Sequence, residues 1–185
     1  MKKIVFMGTP LFAVPILKSI FSKGYNIPLV YTQPPSKSNR GHKVSKSPIH
    51  KFCEENDLKV RTPENFNNLD DEKNILEKLE ADIAIVVAYG QILPKDILHV
   101  CKKGFINIHA SLLPKLRGAA PIQRSIMNLD NETGISLMQI NEKLDQGKVY
   151  SQYRIKLNKD DNAEDLSLKL SNLAAEKIVG DIEGI

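Results

Sequence analysis

A chain of 185 residues, 42% hydrophobic and 26% charged, has the proportions of one globular domain with a real core. No apolar run approaches the ~20 residues that a bilayer crossing needs, and Cys53 and Cys101 stand too far apart and too isolated for a disulfide framework or a zinc site. The formal net charge is +4, and Lys37, Arg40, Lys43, Lys46 and Lys51, with no acidic residue among them between Tyr31 and Cys53, exceed that surplus on their own, so one local contact with a phosphate-bearing partner is expected.

The opening Met1-Lys2-Lys3-Ile4-Val5-Phe6-Met7-Gly8 has the basic start and apolar stretch of a secretion signal. The stretch is too short, however, and it ends in Gly8-Thr9-Pro10, which reads as a strand running into a turn. It is taken as structure, and a cytoplasmic location is expected. Ile4 to Met7 suits a strand buried on both faces. Val14, Leu17, Ile20 and Phe21 then fall at helical spacing, with Gly24 placed to end the helix. Pro28 to Thr32 reads as a second strand. Residues 33 to 48, with three prolines, four serines and most of the basic residues, predict a long surface loop. A helix over 48–56, a short strand over 59–61 and an amphipathic helix over 69–79 follow. Ile83 to Ala88 is the strongest strand in the chain. A short helix is expected over 94–100, a strand over 105–109, a helix over 121–127, and an antiparallel pair over 134–139 and 149–157. Asn162 is placed to cap a last helix running to about Ile182.

Strands alternating with helices predict an open, doubly wound, mostly parallel α/β sheet. Ligands bind beyond the carboxyl ends of strands in such sheets, which directs attention to Gly8-Thr9-Pro10, to Tyr89-Gly90-Gln91 and to the stretch from His109 onward. The first βα turn offers one of the three glycines a dinucleotide would need, which argues against a nicotinamide enzyme.

Asn107 and His109 share one face of their strand by period-two alternation. An amide that can meet a developing oxyanion beside an imidazole that can manage a proton suits acyl transfer. The same pair can equally do no more than satisfy each other at a strand end. Asp145, in the polar loop Asn141–Gly147, is by spacing an ordinary turn residue, although a carboxylate that reached His109 would orient the ring. The Tyr89–Pro94 segment can bind a flat heterocycle edge-on between Ile92 and Leu93, or serve only as a connection. Ser111 to Gln123 is less ordinary: leucines, two prolines, Lys115 and Arg117, and a run of small residues follow directly on His109.

Asn107-Ile108-His109-Ala110-Ser111-Leu112-Leu113-Pro114, followed by Arg117-Gly118-Ala119-Ala120-Pro121-Ile122-Gln123, resembles the signature of the folate-dependent formyltransferases. Met7-Gly8-Thr9-Pro10, Phe12-Ala13-Val14-Pro15, Val86 to Pro94 and Leu144-Asp145-x-Gly147 match in the same order, so the likeness covers essentially the whole chain. It is strongest to members whose acceptor is methionyl initiator tRNA. The resemblance implies a Rossmann-like catalytic domain over 1–185. It implies Asn107, His109 and Asp145 as the catalytic trio, with no metal and 10-formyltetrahydrofolate as formyl donor. Folate contacts would come from Ser111, Leu112, Leu113 and Pro114 and from Tyr89, Gly90, Gln91, Ile92 and Leu93. The 33–48 segment is similar to an insertion that engages the tRNA acceptor end, with Lys37, Arg40, Lys43 and Lys46 as its contacts. The family also carries a C-terminal β-barrel that helps to hold tRNA and is absent from these 185 residues, and a monomer is expected. Competing acceptors are an amino-sugar nucleotide and glycinamide ribonucleotide. A non-catalytic RNA-binding remnant is a reading of another class.

Overall fold

The computed structural model describes residues 1–38, 43–66 and 69–185, giving at positions 37, 38, 43 and 69 the backbone alone. The first half of the chain runs β1 (Lys3–Gly8), a 3-10 turn at Leu11–Ala13, α1 (Val14–Ser22), β2 (Asn26–Tyr31), β3 (Ser36–Ser38), β4 (Lys43–Ser45), α2 (Pro48–Glu55), β5 (Val60–Arg61) and α3 (Leu69–Leu79). The second half runs β6 (Ile83–Val87), a 3-10 turn at Lys95–Ile97, β7 (Phe105–His109), α4 (Pro121–Met127), β8 (Glu132–Gln139), β9 (Val149–Lys156) and α5 (Ala163–Gly184).

Seven strands form one sheet in the order β5-β2-β1-β6-β7-β8-β9. The first five are parallel, and β8 and β9 are antiparallel additions at one side. Alternation divides the sheet's side chains between two cores. On one face Ile4, Phe6, Ile83, Ile85, Ile106 and Ile108 pack with Ile16, Leu17 and Ile20 of α1 and with Leu166, Leu170, Ala174, Ile178 and Ile182 of α5. On the other face Val5, Met7, Ala84 and Val86 pack with Leu76 of α3 and Ile97. α5 is fixed at its start by the expected cap: the Asn162 side chain accepts from Asp165 N–H at 3.0 Å, while Asp165 Oδ2 accepts from Asn162 N–H at 3.3 Å. Among the described residues no helix is long and apolar enough to cross a membrane.

Two expectations need correction. The 33–48 segment is not all loop, because β3 and β4 pair antiparallel with Lys37 opposite Val44. Three-residue strands made of serine, lysine and valine carry no apolar alternation, so backbone pairing is their only signature. The helix expected over 94–100 contracts to the 3-10 turn at Lys95–Ile97, which Pro94 begins without a side-chain cap. Both thiols lie in the cores, and burial pushes each up to about 12. Native protein at pH 8 is therefore expected to resist iodoacetamide, whereas urea-unfolded chain takes the label at both cysteines. Intact mass before and after unfolding checks this, and rapid native labelling would contradict the packing.

Candidate active site

β7 ends at His109, and its alternation aligns Asn107 with the ring, as the period-two reading expected. The two side chains do not satisfy each other. His109 is 7% exposed; its Nε2 lies 2.9 Å from the Leu116 carbonyl and its Nδ1 3.6 Å from Asp145 Oδ2. The latter separation is ion-pair range rather than a short hydrogen bond. Both ring nitrogens thus face acceptors within the protein. The same oxygen, Asp145 Oδ2, accepts from Gly118 N–H at 2.7 Å. The loop after β7 and the loop after β8 are joined through this carboxylate.

The backbone here is unusual. Of the seven non-glycine residues at positive φ among the described residues, four, Ala88, Leu116, Ala120 and Asp145, at φ 46° to 57°, lie in the loops around the site. Such conformations persist only where surrounding structure determines them, and they cluster at functional sites. The segment after His109 is fastened from below by β8 and β9. Ser136, directly opposite His109 in register, accepts from Leu113 N–H at 3.0 Å and donates to the Ser111 carbonyl at 2.6 Å. Gln152 on β9 donates to the Leu113 carbonyl at 2.8 Å and to Ser136 Oγ at 2.9 Å.

A cavity of about 450 Å3 opens beside this cluster. It is lined by Tyr89 to Leu93, by Asn141 to Asp145, and by the strand residues Val86, Asn107 and Met138. The volume lies within the range of small-molecule sites. Ile92 and Leu144, 93% and 70% exposed, stand as apolar groups at its mouth. The Tyr89 ring is turned into the core against Phe66, with centroids 6.4 Å apart, and burial raises its phenol pKa. The Gln91 side chain reaches the Pro63 carbonyl at 2.8 Å. A second cavity of about 450 Å3, lined by Leu98, Lys102, Gly104 and Gln139, adjoins the start of β7 and meets neither Asn107 nor Asp145.

The residues expected to matter thus divide. Asn107, Asp145 and the five residues Tyr89 to Leu93 converge on one cavity, with His109 behind Asp145. Ser111, Leu112, Leu113 and Pro114 are outside its lining, and Ser111 and Leu113 are buried in the Ser136–Gln152 network. Among the basic candidates, the Lys46 side chain is exposed and ion-paired with Glu54. Lys37 and Lys43 have their backbones in β3 and β4, and Arg40 lies outside the described residues. Sequence reading passed over Leu116, whose contribution is a carbonyl, and Ser136, whose one visible sign is a hydroxyl inside the apolar run Ile135-Ser136-Leu137. No cluster of His, Cys, Asp or Glu suited to a metal occurs among the described residues.

The profile described as "Formyl transferase" matches residues 1–181. A methionyl-tRNA formyltransferase from Pelagibacter ubique is 62% identical over 184 residues, covering 100% of this chain and 59% of that protein. One from Parvibaculum lavamentivorans is 45% identical over 177 residues, covering 96% of this chain and 57% of that protein. The chain therefore spans less than two thirds of the length of these curated relatives. Among solved structures, a phosphoribosylglycinamide formyltransferase from Streptococcus pneumoniae superposes with TM-score 0.80 at 15% identity, covering 100% of this chain and 98% of that one. A sugar 3N-formyl transferase, solved in the presence of dTDP and 5-N-formyl-THF, superposes with TM-score 0.69 at 22% identity, covering 100% of this chain and 64% of that one. At such identities these two likenesses concern the fold.

Proposed function

The chain belongs to the formyl transferase family, and on that premise we propose that it carries the catalytic machinery for moving a formyl group from 10-formyltetrahydrofolate to the α-amino group of methionyl initiator tRNA. The observation that carries the reaction class is that Asn107 and Asp145 line one small-molecule cavity while the His109 ring stands 3.6 Å behind the Asp145 carboxylate. The choice of acceptor is supported by the 62% identity, along the whole chain, to a methionyl-tRNA formyltransferase.

The cavity fits a flat heterocycle. Val86, Met138 and Ile140 give it apolar surface, and the Tyr89–Leu93 backbone gives it a polar edge. The folate supplies the activated formyl group; the remaining work falls to the side chains. Asn107 donates an amide N–H to the formyl oxygen as that oxygen gains negative charge under attack by the amine. His109 stands behind Asp145, with Nδ1 3.6 Å from its Oδ2, and acts on the site through that carboxylate. The attacking amine must lose one proton and the folate nitrogen must gain one. Asp145 and His109, at the rim and just behind it, pass that proton between them, so no net charge is left in the site.

The backbones of Lys37 and Lys43 lie in the β3–β4 pair, with Lys46 just after β4, and we assign this segment to the tRNA backbone. Lys46 must release Glu54 to take part. A cytoplasmic site of action accords with such an acceptor.

The test is formyl transfer from 10-formyltetrahydrofolate measured side by side with initiator methionyl-tRNA, glycinamide ribonucleotide and an amino-sugar nucleotide. Product with methionyl-tRNA alone, at a rate that falls steeply with added salt, is expected from phosphate contacts. Preferential use of either small acceptor would overturn the tRNA assignment and leave the formyl chemistry standing.

A further inference from the structure

Behind the cavity wall formed by Tyr89, Gly90 and Gln91 stand two polar side chains that the mechanism has not used. Thr9, in the turn after β1, donates its hydroxyl to the Tyr89 carbonyl at 2.8 Å. Gln33, shortly after β2, donates its Nε2 to the Gly90 carbonyl at 3.0 Å. The Gln33 N–H donates in turn to Thr9 Oγ1 at 3.3 Å, which ties the two together. The approach is as close as glycine alone permits: Gly90 has φ +83°, and a Cβ there would lie 2.2 Å from Gln33 Nε2.

A trans peptide is planar, and its carbonyl and the following N–H point in opposite directions. Holding the Tyr89 carbonyl toward Thr9 therefore turns the Gly90 N–H to the far side of the loop. Holding the Gly90 carbonyl toward Gln33 does the same for the Gln91 N–H. Gly90 and Gln91 line the cavity, whereas Thr9 and Gln33 do not. The far side of the loop is thus the ligand's side.

We infer that Thr9 and Gln33 are positioning residues for the folate site: through two peptide planes they aim the Gly90 and Gln91 N–H groups at the bound heterocycle without touching it. This rests on the folate reading of the cavity and names what sets its polar wall. Thr9 joins the end of β1 to the loop after β6, and Gln33 joins the end of β2 to the same loop. The ligand wall is consequently registered against the central strands rather than left to a free loop, as a preorganised donor pair requires.

The test is isothermal titration of the full chain with 5-formyltetrahydrofolate, well below the melting temperature of every variant. Thr9→Val keeps the side chain's shape and removes its hydroxyl, and Gln33→Leu removes the amide donor. Each is expected to raise Kd by roughly fivefold to tenfold, the worth of one misdirected hydrogen bond. Thr9→Ser is expected to return the affinity to within about twofold of the parent, since it restores the donor. A purely structural role would lower Tm while leaving the Kd of the folded protein unchanged, so a Thr9→Val protein that binds like the parent overturns the inference. Weakening that Thr9→Ser does not repair overturns it too. A parent chain that does not bind the probe at all would sink the folate reading and this inference with it, which is a different and recognisable outcome.

Discussion

Replacing His109 by alanine is expected to slow formyl transfer by about a thousandfold or more while leaving the affinity for 5-formyltetrahydrofolate within about threefold of the parent. The ring is 7% exposed and sits behind Asp145 rather than in the cavity lining, so its loss removes little surface from a bound folate. On the proposed mechanism it removes the group that relays the proton with Asp145, and loss of a positioned proton carrier costs about a hundredfold to ten-thousandfold. Asp145→Asn should cost less, about a hundredfold. The amide oxygen can still accept from Gly118 N–H, so the loop stays joined, but the carboxylate that faces His109 Nδ1 and can take a proton is gone. Because the two act as one unit, the double variant should lose far less than the product of the single losses. Single-turnover rates with excess methionyl-tRNA, alongside Tm and folate titrations, make the comparison. A folded, folate-binding His109→Ala protein that retains more than about a tenth of the parental rate would remove His109 from the chemistry.

The reach of sequence reasoning in this chain followed the kind of group involved. β6 was legible because five consecutive apolar residues, Ile83 to Val87, announce a strand covered on both faces, and all five are buried. The alignment of Asn107 with His109 was legible because strand alternation is a local rule. The meeting of His109 with Asp145 was not, since the two are 36 positions apart and are joined by loops whose course no periodicity describes. Only the likeness of the surrounding motifs to formyltransferases suggested the pair. Leu116 marks the limit most clearly. It acts through its carbonyl, from a left-handed conformation that a leucine side chain does nothing to advertise, and the sequence offers no sign of it. Ser111 and Leu113, which the motif marks as folate contacts, are tied into a buried hydrogen-bonded frame with Ser136 and Gln152, partners 25 and 39 positions away that spacing along the chain does not reveal.

Gly147→Ala is expected to lower the rate of formyl transfer by about a hundredfold, although the residue is outside the cavity lining. Gly147 lies where the chain leaves the Asp145 loop to begin β9, crossing the end of β8. A Cβ there would lie 1.8 Å from the Gln139 carbonyl oxygen and 2.8 Å from its carbon. The obstacle is main chain locked into the β8–β9 pairing: Gln139 N–H donates to the Lys148 carbonyl at 2.8 Å. It cannot swing aside as a side chain would, so the Asp145 loop must move instead, by about the 1 Å or more that brings the contact back to van der Waals distance. Asp145 is two residues away and is fixed at 2.7 Å to Gly118 and 3.6 Å to His109, so the displacement falls on the contact that orients the ring. Misplacement on that scale costs about a hundredfold in rate. The same loop walls the cavity from Asn141 to Asp145, and folate KM should therefore rise together with the fall in kcat. The overpacking should also cost about 1–3 kcal/mol of stability. Gly180, in the last turns of α5 with nothing within 4 Å of a built Cβ, supplies the control. Gly180→Ala should gain about 0.5–1 kcal/mol from helix propensity and leave the rate unchanged. Should Gly147→Ala transfer formyl groups as fast as Gly180→Ala, the Asp145 loop is free to find its geometry without this crossing, and the contact at Gln139 is not what sets it.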